Sequence, residues 1–195
     1  MKTEPRLIAI TGGIGAGKSV VSNVLRALGY KVYDSDSEAK RLMDTSENIK
    51  NDLSTFIDKN VVDDNGTIDR KKLADIVFND ADKLLLLNKI VHAAVRDDIR
   101  EFTHQSQQYP VFVETAILYQ SEIDRMVDAV WDVTAPVDVR ICRVMKRNSL
   151  TAEHVKARIE SQQFTPENPH PNLTIIINDD KTAVLPQIER LIAEL

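Results

Sequence analysis

Between a short apolar run, Leu7-Ile8-Ala9-Ile10, and a helix-compatible run, Ser19-Val20-Val21-Ser22-Asn23-Val24-Leu25, stands Gly12-Gly13-Ile14-Gly15-Ala16-Gly17-Lys18-Ser19. It satisfies G-x-x-x-x-G-K-[ST] at every defined position. A strand, a glycine loop and a helix in that order leave few folds open. Four of the six residues from Gly12 to Gly17 are glycine, so the main chain can approach a polyphosphate closely and wrap it with N–H groups. The following helix points its positive end at the anion, Lys18 can bridge the β and γ phosphates, and the Ser19 hydroxyl can ligate Mg²⁺. A plain strand-to-helix turn would need glycine but not the Lys-Ser pair in register. The motif therefore predicts a nucleoside triphosphate, with Gly13, Ile14, Gly15, Ala16, Gly17, Lys18, Ser19 and Val20 around it.

Apolar runs with β-branched or aromatic content recur at Leu7–Thr11, Lys31–Tyr33, Val111–Val113, Ala129–Thr134 and Thr174–Ile177, separated by helical patterns. That alternation predicts an α/β fold, a parallel five-stranded sheet covered by helices on both faces. Leu84, Leu87, Val91, Val95 and Phe102 recur at helical spacings and predict the core stripe of one long helix. About seventy residues separate the second and third strands, far more than one crossover helix needs. A helical insertion over about 37–108 is expected there, within one domain spanning 1–195. Asp69 should cap one of its helices and Asp80 or Asp82 the next. Ligands of open α/β sheets bind at the carboxyl ends of the strands, so this insertion is read as the acceptor-binding part.

Asp34 and Asp36 follow the second strand directly. Asp36 reads two ways: as the group that orients an attacking hydroxyl and accepts its proton, or as the N-cap of a helix starting at Ser37. Arg140, Arg143 and Arg147 fall within roughly a 60° stripe of a helix at about 100° per residue. Such a stripe is either a solvated basic face or a set of arginines brought to a triphosphate by a mobile segment. Arg158, beyond a turn at Asn148-Ser149, would complete a lid over about 143–172, which includes the proline-rich stretch Phe164 to Asn172. Glu114 ends the third strand, where it would hold a Mg²⁺-bound water or a substrate group, or serve as a hydrogen-bonded sheet-end acid. His92 lies in a helical stretch and reads first as a structural hydrogen-bonding residue. Asp63-Asp64-Asn65-Gly66 reads as a turn. It also spells the GTPase pattern D-x-x-G, but Asn88-Lys89-Ile90-Val91 lacks the acid of N-K-x-D.

Hydrophobic residues make up 43% of the 195, which fits a packed globular domain and excludes a disordered chain. The net charge of −5 and the lack of a dense Lys/Arg block argue against general binding to nucleic acid. Cys142 is the one cysteine, so an internal disulfide is impossible, and it is expected to pack within its helix. Four apolar residues before Thr11 are too few for a signal-peptide core, and Leu84 to Leu87 is far short of a membrane span. A cytoplasmic chain without membrane attachment or an obligate protein partner is expected.

Four segments together resemble the dephospho-coenzyme A kinase family: Thr11 to Ser19, Tyr33-Asp34-Ser35-Asp36, Asp69-Arg70-Lys71-Lys72-Leu73-Ala74-Asp75-Ile76-Val77-Phe78, and Arg158-Ile159-Glu160-Ser161-Gln162. The resemblance runs over essentially the whole chain. It implies the P-loop kinase fold with a helical acceptor-binding insertion and a lid. It further implies ATP-dependent phosphorylation of the ribose 3′-hydroxyl of dephospho-coenzyme A, the last step of coenzyme A synthesis, with ATP and Mg²⁺ as cofactors. In that likeness Asp36 is the general base, Lys18 and Arg147 serve the transferring phosphate, Arg143 stands against the adenine, and Asn178 lies near the base. His92, Glu114 and Arg158 join Asp36 as candidate acceptor contacts. Val20 stands where the family usually has threonine, and Asp179-Asp180 replaces a glycine-containing turn. On the residues alone two other readings stay open, a P-loop kinase for a nucleotide or shikimate-like acceptor and a regulator that hydrolyses slowly.

Overall fold

The computed structural model describes residues 7–161 and 166–195. Gln162 of the fourth family segment, and Phe164 within the expected lid, lie outside the described residues. The strands are β1 (Leu7–Thr11), β2 (Val32–Asp34), β3 (Val111–Glu114), β4 (Ala129–Thr134) and β5 (Leu173–Ile177). The helices among the described residues are α1 (Lys18–Ala27), α2 (Ser35–Thr45), α3 (Glu47–Phe56), α4 (Arg70–Phe78), α5 (Ala81–His104), α6 (Val137–Asn148), α7 (Ala152–Ser161) and α8 (Val184–Ala193). None is long and apolar enough to cross a membrane. The chain divides into two compact units, Met1–Tyr33 with Gln105–Leu195, and Asp34–His104.

The first unit is built on the sheet, in the order β2-β3-β1-β4-β5. β1 pairs in parallel with β3 and β4, and β4 with β5. Leu7, Ile8, Ala9 and Ile10 of β1 are all buried, as expected for the central strand of a sheet covered on both faces. Ile8, Ile10, Val21, Leu25, Phe112, Trp131, Ile176 and Ile188 share one core, in which the Phe112 and Trp131 rings lie 5.1 Å apart. Full burial of side chains this size contributes about 1.5–3 kcal/mol each. The outer edge of β5 is closed by a side chain: Gln187 of α8 donates to the Ile177 carbonyl at 2.8 Å and accepts from its N–H at 2.9 Å. Ahead of β5, His170 Nε2 lies 3.1 Å from the Val127 carbonyl, and Asn172 Nδ2 donates to the Asp128 carbonyl at 3.0 Å.

The second unit is helical. Ile49, Leu53, Val61, Leu73 and Val77 form its core, and Leu84, Leu87 and Ile90 of α5 pack against it. Asp69 accepts from Lys72 N–H at 2.9 Å to cap α4, and the cap before α5 falls to Asp80, which accepts from Asp82 and Lys83 N–H. The turn at Asp63 forms as its residues dictate, with Asp63 Oδ1 accepting from Asn65 and Thr67 N–H and Gly66 at φ 74°.

Two expectations need correction. The cap of α2 is Asp34, whose Oδ1 accepts from Asp36 N–H at 3.1 Å and Ser37 N–H at 3.2 Å. β2 carries one residue further than its apolar run, so the helix starts at Ser35 and Asp36 falls inside its first turn. Cys142 lies on α6 but is exposed, because α6 buries Val144 and packs Ile141 and Met145, leaving position 142 on the outer side.

Candidate active site

The glycine loop is held from behind. Arg140 Nε donates to the Ile14 carbonyl at 2.9 Å, Arg143 Nη1 to those of Gly15 and Ala16 at 3.3 Å each, and Asn178 Nδ2 to that of Ala16 at 2.9 Å. In a trans peptide the carbonyl and the next N–H point in opposite directions. Drawing the Ile14 and Ala16 carbonyls toward α6 and the end of β5 therefore turns the N–H groups of Gly15 and Gly17 the other way. Gly17 itself sits at φ 96°, and a Cβ there would come within 2.0 Å of Asn178 Nδ2. It precedes α1 without any side-chain cap, and no acidic residue stands in the first turn. The helix thus presents its positive end unneutralised. Lys18 opens the helix and reaches back to the Gly12 carbonyl at 2.9 Å.

Arg143 also donates to the Asn178 carbonyl at 3.0 Å and side-chain oxygen at 3.2 Å, and pairs with Asp180. Asn178 is 6% exposed, so its amide is a buried link between the end of β5 and the loop. Asp180, part of the segment that departs from the family's turn, takes up one arginine N–H. Ile14 packs with Ile141, Met145 and Leu150 against the buried Val144, Val155 and Ile159, which joins α6, α7 and the loop in one apolar cluster.

Asp132 of β4 was not among the expected site residues. It stands in register beside Thr11 and lines a cleft of about 380 Å³ with Gly12, Gly13, Ala116 and Tyr119. Burial pushes its carboxyl above the ordinary value, while Lys18 and Arg140 pull it back. Burial likewise lowers the Arg140 guanidinium, and Asp132 opposes that. A polar residue inside the apolar run Val130-Trp131-Asp132-Val133 was the available signal. Glu114 is half-buried at the end of β3, level with Ile10.

The arginine stripe divides. Arg140 and Arg143 turn onto the loop, whereas Arg147, one turn further, is exposed with Nε on Asn148 Oδ1 at 2.8 Å. Arg158 is exposed on α7. Ser19 and Val20 are exposed in the first turn of α1.

The dephospho-CoA kinase family model matches residues 6–183. A dephospho-CoA kinase of Staphylococcus aureus strain N315 is 34% identical over 193 residues, 97% of this chain and 93% of that protein. The chain belongs to the dephospho-CoA kinase family. A crystal structure of TT1252 from Thermus thermophilus superposes with a TM-score of 0.74 at 33% identity, covering 99% of each chain. The dephospho-CoA kinase from Campylobacter jejuni does so with a TM-score of 0.63 at 26% identity, covering 96% of each. As a member of that family, the chain is an ATP-using phosphotransferase. Asp36 and His92 stand in the helical unit, Asp36 exposed at the start of α2 and His92 half-buried along α5.

Proposed function

We propose that the chain moves the γ-phosphoryl group of ATP onto the ribose 3′-hydroxyl of dephospho-coenzyme A, with the residues singled out above in the following roles. The observation that carries this is the glycine loop, whose carbonyls are tied back by Arg140, Arg143 and Asn178 while the uncapped α1 begins at Lys18. Gly13 to Ser19 hold the polyphosphate, Lys18 exchanges the Gly12 carbonyl for phosphate oxygens, and Val20 lies beside them. Asn178 and Arg143 fix the loop at the side where the adenine would lie. Asp36 takes the proton from the 3′-hydroxyl as that oxygen bonds to the γ-phosphorus and the bond to the β-phosphate bridge breaks, releasing ADP. Arg147 neutralises charge on the transferring group, and His92, Glu114 and Arg158 contact the acceptor.

Mg²⁺ fits this site on the observation that Ser19, a hydroxyl-bearing residue, is exposed in the first turn of α1, next to the loop. Ser19 would hold the ion, with Glu114 on one of its waters, and the ion would neutralise charge on the β and γ phosphates. The helical unit is proposed as the acceptor-binding part and α6 to α7 as the lid. The compartment is proposed to be the cytoplasm, where ATP is held and an exposed thiol such as Cys142 stays reduced.

Acceptor competition tests the reading. With ATP and Mg²⁺ present, ADP release should rise sharply when dephospho-coenzyme A is added, and stay at its acceptor-free rate with AMP or shikimate. Equal stimulation by either of those would overturn it.

A further inference from the structure

Arg140 ties back one loop carbonyl but is given no part in binding or transfer in the roles above, and its fit to the loop goes further than that one bond. Its Nε donates to the Ile14 carbonyl at 2.9 Å. Its guanidinium lies against Gly13 so closely that a Cβ on Gly13 would come within 2.4 Å of Nη2. Its own carbonyl oxygen fills the space beside Gly15, where a Cβ would come within 2.7 Å. One residue therefore touches three consecutive residues of the phosphate loop. Lysine could supply the charge but not a planar group whose Nη2 end stands beside one residue while its Nε–H bonds the next.

A second cation is tolerated beside Lys18 because a carboxylate is near both. Lys18 and Arg140 lie within electrostatic reach of Asp132, which offsets their mutual repulsion. The pair brackets the loop from two sides, since Lys18 bonds the Gly12 carbonyl and Arg140 that of Ile14. A loop fixed in this way does not have to be ordered when the nucleotide arrives, and that saving goes into affinity.

We infer that Arg140 is a positioning residue for nucleotide binding, a clamp that holds Gly13 to Gly15 with their N–H groups set for the phosphates. Arg140 acts through the loop and not on the transferring group. This rests on the kinase reading for its biological use, but its test reads binding alone.

The experiment is calorimetric titration of the parent, Arg140→Met and Arg140→Lys with the Mg²⁺ complex of the β,γ-imido analogue of ATP, alongside steady-state kinetics with dephospho-coenzyme A. Arg140→Met should weaken the analogue about tenfold and raise KM for ATP equally, the cost of losing one charged hydrogen bond. Arg140→Lys should recover less than half of that loss on a logarithmic scale, and kcat and KM for dephospho-coenzyme A should stay within about threefold of the parent. Gly13→Ala gives a second route, because its methyl must displace the guanidinium. It should weaken the analogue in the parent and add nothing in Arg140→Met. Analogue affinity within twofold of the parent in both Arg140 variants would overturn the inference. So would a fall in kcat at unchanged affinity, which would place Arg140 on the transferring group. Should Arg140→Met fail to fold, Arg140→Lys and Gly13→Ala carry the same test. If the parent binds the analogue yet does not phosphorylate dephospho-coenzyme A, the kinase reading fails while the clamp stands.

Discussion

The phosphate loop and the helical unit are held together by opposite means. Around the loop, Arg140 to Ile14, Arg143 to Gly15 and Asn178 to Ala16 join residues 126, 128 and 162 positions apart. In the helical unit many polar bonds are local: Asp34, Asp69 and Asp80 cap their own helices, and Lys50 with Glu47 and Arg100 with Asp97 are i,i+3 pairs on the surface. Exposed pairs of that kind contribute little, so the helical unit depends on its apolar core. A loop that must bind a polyanion with its backbone cannot satisfy its own carbonyls locally, and the rest of the sheet unit supplies the donors. The helical unit, by contrast, is built from ordinary helix chemistry.

The largest expected effect lies at the loop. Lys18→Ala should lower turnover by at least about a thousandfold while the far-ultraviolet circular dichroism is unchanged, because the ammonium neutralises charge that develops on the phosphoryl group. Turnover near the parent's would remove the loop from the chemistry. Asp36→Asn follows, with kcat reduced about 10²–10⁴-fold and KM for ATP little changed, since the amide keeps the shape but takes up no proton. A loss of less than about tenfold would assign the base to another group. As the helix cap is Asp34, a loss of stability in Asp36→Asn would not be expected.

The two remaining arginines sharpen the contrast. Arg143→Lys should chiefly raise KM for ATP, roughly tenfold, because an ammonium cannot bond the Gly15, Ala16 and Asn178 oxygens together. Arg147→Lys should lower kcat with little change in KM, as Arg147 is exposed and outside that network. Equal small effects in both would mean that the stripe is a solvated face. In the helical unit Leu53→Ala, at a fully buried position, should cost about 2–5 kcal/mol of stability in denaturant unfolding. KM for ATP should not follow it if the units divide their labour as described.

The loop, its helix and the strands were legible in the sequence because each is written in neighbouring residues: glycine spacing, apolar runs, and Asp69 three positions before the N–H it caps. The residues that hold the loop were legible only in part. Asn178 and Arg143 were marked by family likeness, but their bonds to loop carbonyls join distant parts of the chain and leave no local pattern. Arg140 could not be told from a surface arginine by periodicity, and Asp132 was a single polar residue in an apolar strand. The sequence alone points to Asp36 and not Asp34 as the cap, because a three-residue strand gives too short a run to fix its end.

The smallest expected effect is at Asp132. Burial raises its carboxyl above the ordinary value, so its contribution to stability is complete below the unfolded-state pKa and is lost as pH rises through the raised one. At neutral pH Asp132→Asn should therefore melt at the same temperature as the parent or slightly higher, with the advantage gone in acid. A lower Tm at neutral pH would mean that Lys18 and Arg140 outweigh desolvation.

Phosphorus NMR of one reaction mixture, containing the parent chain, Mg²⁺, ATP and dephospho-coenzyme A, bears most directly on the central claim that the loop delivers a phosphoryl group to an acceptor rather than to water. The account expects a new phosphomonoester resonance that grows in step with ADP. Inorganic phosphate growing in step with ADP, with no monoester, would contradict it.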